Sequence, residues 1–112
     1  MDHYHEVQTT LRPQVRALRE LIPETWASFA DLHKHSLADG ELNSSFKELI
    51  ALAISVVEGC DGCIASHARG AARHGATRQQ VAEALGVTLL MDGGPASVYA
   101  PRALAAFDEF TR

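Results

Sequence analysis

The chain has 112 residues, of which 46% are hydrophobic and 21% are charged, and its formal net charge at pH 7 is −4. This length predicts one domain over residues 1–112, long enough to bury an apolar core. The acidic balance argues against nucleic acid and anionic membranes as partners. The sequence shows neither an apolar run of about 18 residues nor a signal-peptide pattern. We therefore expect a globular protein of the cytoplasm.

The first forty residues predict two amphipathic helices. The first has apolar residues at helical spacing, namely Leu11, Val15, Leu18 and Ile22. Pro13 is expected to interrupt or restart this helix, and Pro23 suits the first turn of the next one. His33 falls on the apolar face of the second helix. We interpret it as a core or interface histidine rather than a ligand, because no reactive residue lies near it in the sequence.

The third predicted helix is unusually apolar. Asn43 to Ser45 supply capping residues, and every residue from 49 to 57 is apolar except Ser55. A helix that is apolar all round is buried in a core or at a subunit interface. Glu48 has two readings here. It completes a capping box with Ser45, or it is a carboxylate held against the helix that follows.

The most reactive stretch of the chain contains both of its cysteines. Cys60 and Cys63 are three residues apart, and His67 follows four residues later. If Cys60 opens a helix, all three side chains fall within an arc of about 60°. The positive end of the helix dipole favours thiolates, and a histidine can exchange protons with them. The stretch predicts a redox-active dithiol with its own acid/base residue.

Turn and cap signals divide the rest of the chain into helices. The cysteine helix is expected to run to about His74 and stop at Gly75. Thr77 and Gln80 form a capping-box pattern, a Gly-Gly-Pro break at 93–95 starts the last helix, and Pro101 is expected to kink or split it. The sequence thus predicts an all-α fold of five to seven helices. Because several helices are more apolar than a small bundle can bury, we expect subunits to pack together.

Four segments, in order along the chain, carry a further signal. They are Lys-Glu-Leu-Ile-Ala-Leu-Ala at 47–53, Gly-Cys-x-x-Cys-x-x-x-His at 59–67, Gly-Ala-Thr at 75–77 and Met-x-Gly-Gly-Pro at 91–95. Together they resemble the carboxymuconolactone decarboxylase and alkylhydroperoxidase D-like (AhpD-like) superfamily. The resemblance covers about residues 40 to 100. It implies an all-helical fold that assembles as trimers or as hexamers built from dimers.

The resemblance also implies roles for four residues. Cys63 matches the cysteine that attacks a hydroperoxide, and Cys60 matches the partner that resolves the sulfenic acid into a disulfide. Glu48 and His67 match the proton relay. An external dithiol reduces the disulfide, and no haem, flavin or metal is required. One departure stands out, because alkylhydroperoxidase D has a further histidine where this chain has Gly62.

Three other interpretations of the cysteine pair remain open. The pair and His67 could bind zinc, with His74 or Glu48 as a fourth ligand. The chain could instead be a carboxymuconolactone decarboxylase-like enzyme or a non-redox helical module, because a fold alone does not fix a function. The cysteines could finally be an inert buried pair, which their place at a helix N-terminus disfavours.

Overall fold

A computed structural model describes residues 2–112 of the chain and consists of six helices joined by short turns. Their bounds are α1 (His3–Leu21), α2 (Pro23–Leu37), α3 (Ser44–Glu58), α4 (Asp61–Arg73), α5 (Arg78–Asp92) and α6 (Gly94–Phe110). No strand occurs among these residues. The predicted all-α class and the predicted number of helices are confirmed.

Small side chains allow the helices at the centre of the molecule to approach closely. Helix α4 packs against α1, α3 and α6. Its buried face carries Ile64, Ala65, Ala68 and Ala71, and α6 contributes Ala96, Ala100, Ala103 and Ala106. The largest fully buried side chains are Leu52, Val56, Ile64 and Val81. The cysteine helix therefore lies at the middle of the fold, where its neighbours fix its position.

The two internal prolines do not break their helices. We expected Pro13 to interrupt α1 and Pro101 to kink or split α6, but both helices run continuously through them. A proline has no N–H to donate to the carbonyl four residues earlier. Pro13 therefore leaves the carbonyl of Thr9 without its helical hydrogen bond, and Pro101 does the same to that of Ser97. Both of these residues are exposed, so water can bind the freed oxygen. The prediction of a break at Pro13 was therefore wrong.

A buried carboxylate anchors the start of α1. Glu109 is only 7% exposed and accepts hydrogen bonds from the backbone N–H groups of Tyr4 and His5, both at 3.1 Å. The Tyr4 hydroxyl donates to Asp61 Oδ1 at 3.2 Å. Burial first, and then the charge of Asp61, raise the pKa of Tyr4, so its hydroxyl stays a neutral donor. These contacts hold the first turn of α1 against the beginning of α4.

Helix α2 is attached much more loosely. All fifteen of its residues are described, and none of them is buried. It contacts α1 and α3, and it leaves Phe29 55% exposed and Leu32 62% exposed. Pro23 lies in its first turn, as predicted. None of the six helices is long and apolar enough to span a membrane, within the part of the chain that the structure describes.

Candidate dithiol active site

A tight turn places the first cysteine at the beginning of α4. Gly59 ends α3 with a φ of 64°, and Cys60 is the N-cap residue of the next helix. The left-handed conformation favours glycine. The Tyr99 ring also lies 3.4 Å from where a Cβ on Gly59 would stand. The prediction that the cysteine pair opens a helix is confirmed.

Cys60 and Cys63 are joined by a disulfide, and their Cα atoms are 5.2 Å apart. Both residues are partly exposed. The backbone N–H of Cys63 donates to Cys60 Sγ at 3.2 Å, so this sulfur occupies the N-cap position. In the reduced form, the same N–H and the positive end of α4 would stabilise a thiolate there.

Glu48 lies against the cysteine helix, 4% exposed, and its Oε1 is 3.0 Å from Nδ1 of His67. Of the two readings of Glu48, the capping box with Ser45 is wrong. Asn43 caps α3 instead and accepts from the N–H of Phe46 at 2.8 Å. The carboxylate is buried because it occupies the space beside Gly70, where a methyl group would overlap it.

His33 was missed as a site residue. Its ring stacks on that of His67, with centroids 5.9 Å apart and planes inclined by 15°. The interpretation of His33 as a core histidine is therefore wrong, because the residue is exposed and lies over the site. Its place at a subunit interface stays a prediction. Glu48 and His67 are hydrogen-bonded, and His33 covers the His67 ring at the surface. The sequence does not indicate this contact, because His33 and His67 are far apart in the chain and meet only when α2 packs beside the site.

One cavity brings these groups together. It has a volume of about 870 Å³, and both cysteines, His67 and His33 lie in its wall. The facing wall comes from α1 and α2 and is largely apolar, formed by Val7, Leu11, Val15, Trp26 and Phe29. A largely apolar cavity with a few convergent polar groups is typical of a small-molecule site. We call it the dithiol cavity.

Two other polar residues near the cysteines in sequence stand apart from the site. His74 is at the far end of α4 from Cys60, about 20 Å away for a helix of this length. It therefore cannot complete a zinc site with the cysteine pair. Glu58 is exposed at the end of α3.

Comparison with known proteins decides the family. The family model "Carboxymuconolactone decarboxylase family" matches residues 23–106, which is most of the chain. The chain belongs to the carboxymuconolactone decarboxylase family. The expected resemblance is therefore confirmed, and the matched range includes Glu48, His33 and the whole cysteine helix.

Relatives within the family span nearly the same length. An uncharacterized protein of Cupriavidus necator is 43% identical over 100 residues, covering 89% of this chain and 88% of the relative. A carboxymuconolactone decarboxylase family protein from Legionella pneumophila is 36% identical, with a TM-score of 0.96 over the full length of both chains. A Thermotoga maritima member is 30% identical with a TM-score of 0.70, covering 85% of this chain and 86% of its own. That protein is described as a candidate for a role in an antioxidative response.

The structure shows what a side chain at position 62 would contact, where alkylhydroperoxidase D has a histidine and this chain has glycine. A Cβ at position 62 would lie 3.1 Å from Cδ1 of Leu11, which comes from α1. A histidine there would require Leu11 to move. The space beside the cysteines is thus filled by an apolar side chain, while His33 supplies an imidazole from another helix.

Proposed function

We propose that this protein is a thiol-dependent hydroperoxide reductase. The observation that carries the proposal is the dithiol cavity itself, in which a Cys-x-x-Cys pair at a helix N-terminus shares a wall with a histidine bound to a buried glutamate. A cysteine pair at a helix N-terminus beside an oriented acid/base pair has the features expected of a reactive dithiol. The antioxidative role suggested for the Thermotoga maritima relative is of the same kind.

The proposed oxidative half-reaction has two steps. The Cys63 thiolate attacks the terminal oxygen of the hydroperoxide, and the O–O bond breaks, giving a sulfenic acid and an alkoxide. The alkoxide takes a proton from the relay of Glu48 and His67 and leaves as an alcohol. The Cys60 sulfur then attacks the Cys63 sulfenic acid, so that the disulfide forms and water leaves.

The reductive half-reaction requires a second substrate. An external dithiol attacks the Cys60–Cys63 disulfide, becomes a disulfide itself and returns both enzyme thiols. The bonded cysteine pair corresponds to the oxidised form of this cycle. Such a cycle suits a reducing compartment, and we propose that the protein works in the cytoplasm.

A direct test is to titrate the reduced, metal-free protein with hydrogen peroxide and with tert-butyl hydroperoxide. We expect one equivalent to remove both free thiols and to lower the intact mass by two hydrogen atoms. Thiols that survive an excess of both peroxides would contradict the proposal. That result would favour a decarboxylase-like or other non-redox role.

His33 is expected to support the proton relay by holding the His67 ring in place through stacking. The His33→Ala variant should lose peroxide-dependent thiol oxidation by about tenfold, because the His67 ring would lose its only stacked imidazole among the described residues. His35→Ala is the matched control, since His35 is an exposed histidine on the same helix. Added imidazole should restore part of the His33→Ala rate. Equal rates for the two variants would exclude His33 from the relay.

We also propose that the protein forms a homotrimer or a homohexamer. Apolar side chains are exposed along α3 and α5, including Phe46, Ile54, Leu90 and Met91. A groove of about 550 Å³ runs between these two helices with Phe46, Ile50, Ile54 and Val87 in its walls. Exposed apolar surface of this kind is typical of a subunit interface. Sedimentation equilibrium tests the proposal, and a monomer at micromolar concentration would contradict it.

A further inference from the structure

A second groove adjoins the dithiol cavity and is strongly basic. It has a volume of about 420 Å³ and lies between α1 and α4. Four guanidinium groups line it, those of Arg12, Arg16, Arg19 and Arg69. The first three are spaced four and three residues apart, so they lie along one face of α1. We call this the arginine groove.

The cations of the arginine groove have no carboxylate partners among residues 2–112. The arginines that form ion pairs are Arg78 and Arg112, and both lie elsewhere. Arg69 instead donates to the amide oxygen of Gln8 at 3.2 Å, which fixes its direction. None of the described residues lining the groove is acidic. In a chain with a net charge of −4, this leaves a local concentration of positive charge that attracts anions.

The arginine groove shares a wall with the dithiol cavity. Leu11, Val15, Gly62 and Ser66 line both the groove and the dithiol cavity. Gly62 lies between the two cysteines in the sequence, whereas the cysteines themselves line only the dithiol cavity, so this shared wall separates the groove from the disulfide. A ligand that lies over the exposed side chains of Leu11 and Ser66 in this wall would have one end among arginines and the other in an apolar cavity. The two spaces together fit an amphipathic molecule with an anionic group.

We propose that the arginine groove binds the carboxylate of the hydroperoxide substrate, while the apolar body of the substrate fills the dithiol cavity. Guanidinium groups bind carboxylates through paired, charge-assisted hydrogen bonds. The apolar wall of α1 and α2 suits a hydrocarbon chain. The inference rests on the proposed function and narrows its substrate class to hydroperoxides of carboxylic acids. The carboxylate takes no part in the reaction, so the product is the corresponding hydroxy acid.

The test compares a charged and a neutral form of one hydroperoxide. Reduced protein is mixed with linoleic acid hydroperoxide or its methyl ester, both below their critical micelle concentrations, and the rate of thiol loss is measured. We expect the acid to react about tenfold faster than the ester. The Arg12→Gln/Arg16→Gln double variant keeps Arg19 and Arg69, and in it this preference should fall to about threefold or less through a slower reaction with the acid.

A matched double variant separates the groove from overall charge. Lys47→Gln/Arg102→Gln also removes two cations, but neither residue lines the groove or the dithiol cavity. This control should keep the preference for the acid. Equal loss in both double variants, or equal wild-type rates for acid and ester, would overturn the inference.

A third substrate distinguishes failure of the inference from failure of the proposed function. Tert-butyl hydroperoxide is neutral and small, so the proposed function predicts that it oxidises the thiols in every one of these variants. If it reacts but the acid has no advantage, the arginine groove is not the substrate site and the reductase activity stands. If no hydroperoxide reacts, both proposals are overturned.

Discussion

The Cys63→Ser variant is expected to consume no hydroperoxide, whereas Cys60→Ser is expected to react once and stop. Without Cys63 the attacking sulfur is missing, and the serine hydroxyl cannot replace it. Without Cys60 the sulfenic acid on Cys63 has no nearby thiol with which to condense, so it persists. Neither variant should therefore catalyse repeated turnover of the hydroperoxide, which is the largest effect that a single substitution can have here.

The structure favours each cysteine as the attacking residue for a different reason. Cys63 is one helical turn before His67, and so it is the sulfur nearer to the relay along α4. Cys60 accepts the N–H bond at the N-cap, which would favour its own thiolate. The assignment of the attack to Cys63 therefore depends on the family resemblance, and the two serine variants decide it experimentally.

The measurement is intact mass after one equivalent of hydrogen peroxide, with and without dimedone. Cys60→Ser should gain one oxygen atom and then form a dimedone adduct on Cys63. Cys63→Ser should remain unmodified. The reverse pattern would assign the attack to Cys60, with Cys63 as the resolving residue.

Local chemistry made much of this fold predictable from the sequence. The capping box of Thr77 and Gln80 forms as expected at the start of α5. The start of α4 at Cys60 also follows from neighbouring residues, because Gly59 permits the turn that precedes it. Such features depend on contacts within a few residues, which are visible in the sequence. The spacing of the cysteine pair and His67 on one helix is of the same kind.

The remaining parts of the site depend on contacts between helices. The sequence left Glu48 with two readings, and the packing of α3 on α4 at Gly70 is what places its carboxylate beside His67. His33 lies thirty-four residues before His67, and nothing local to α2 indicates that the two rings meet. The arginine groove likewise combines residues of α1 with one from α4. Patterns along one helix do not reveal which side chains another helix brings to it.

Gly70→Ala is expected to displace the Glu48 carboxylate and to lower both stability and activity. The new methyl group would overlap this side chain, which is buried and bound to His67. Overpacking costs about 1–3 kcal/mol, and disturbing a buried hydrogen-bonded carboxylate costs about 1–3 kcal/mol more. The better helix propensity of alanine offsets about 1 kcal/mol. We therefore expect a net loss of about 1–5 kcal/mol in the free energy of unfolding, and about a hundredfold slower thiol oxidation.

Gly86→Ala is the matched control, because Gly86 is also inside a helix and a Cβ there meets no atom within 4 Å. This substitution should stabilise the protein by about 0.5–1 kcal/mol and leave the rate unchanged. A second comparison isolates the cause. In a Glu48→Ala background the overlapping carboxylate is gone, so Gly70→Ala should cost nothing and should even stabilise the helix. If urea denaturation shows the same cost in both backgrounds, the effect at Gly70 does not act through Glu48. Glycine would then be needed there for another reason than to seat the relay carboxylate.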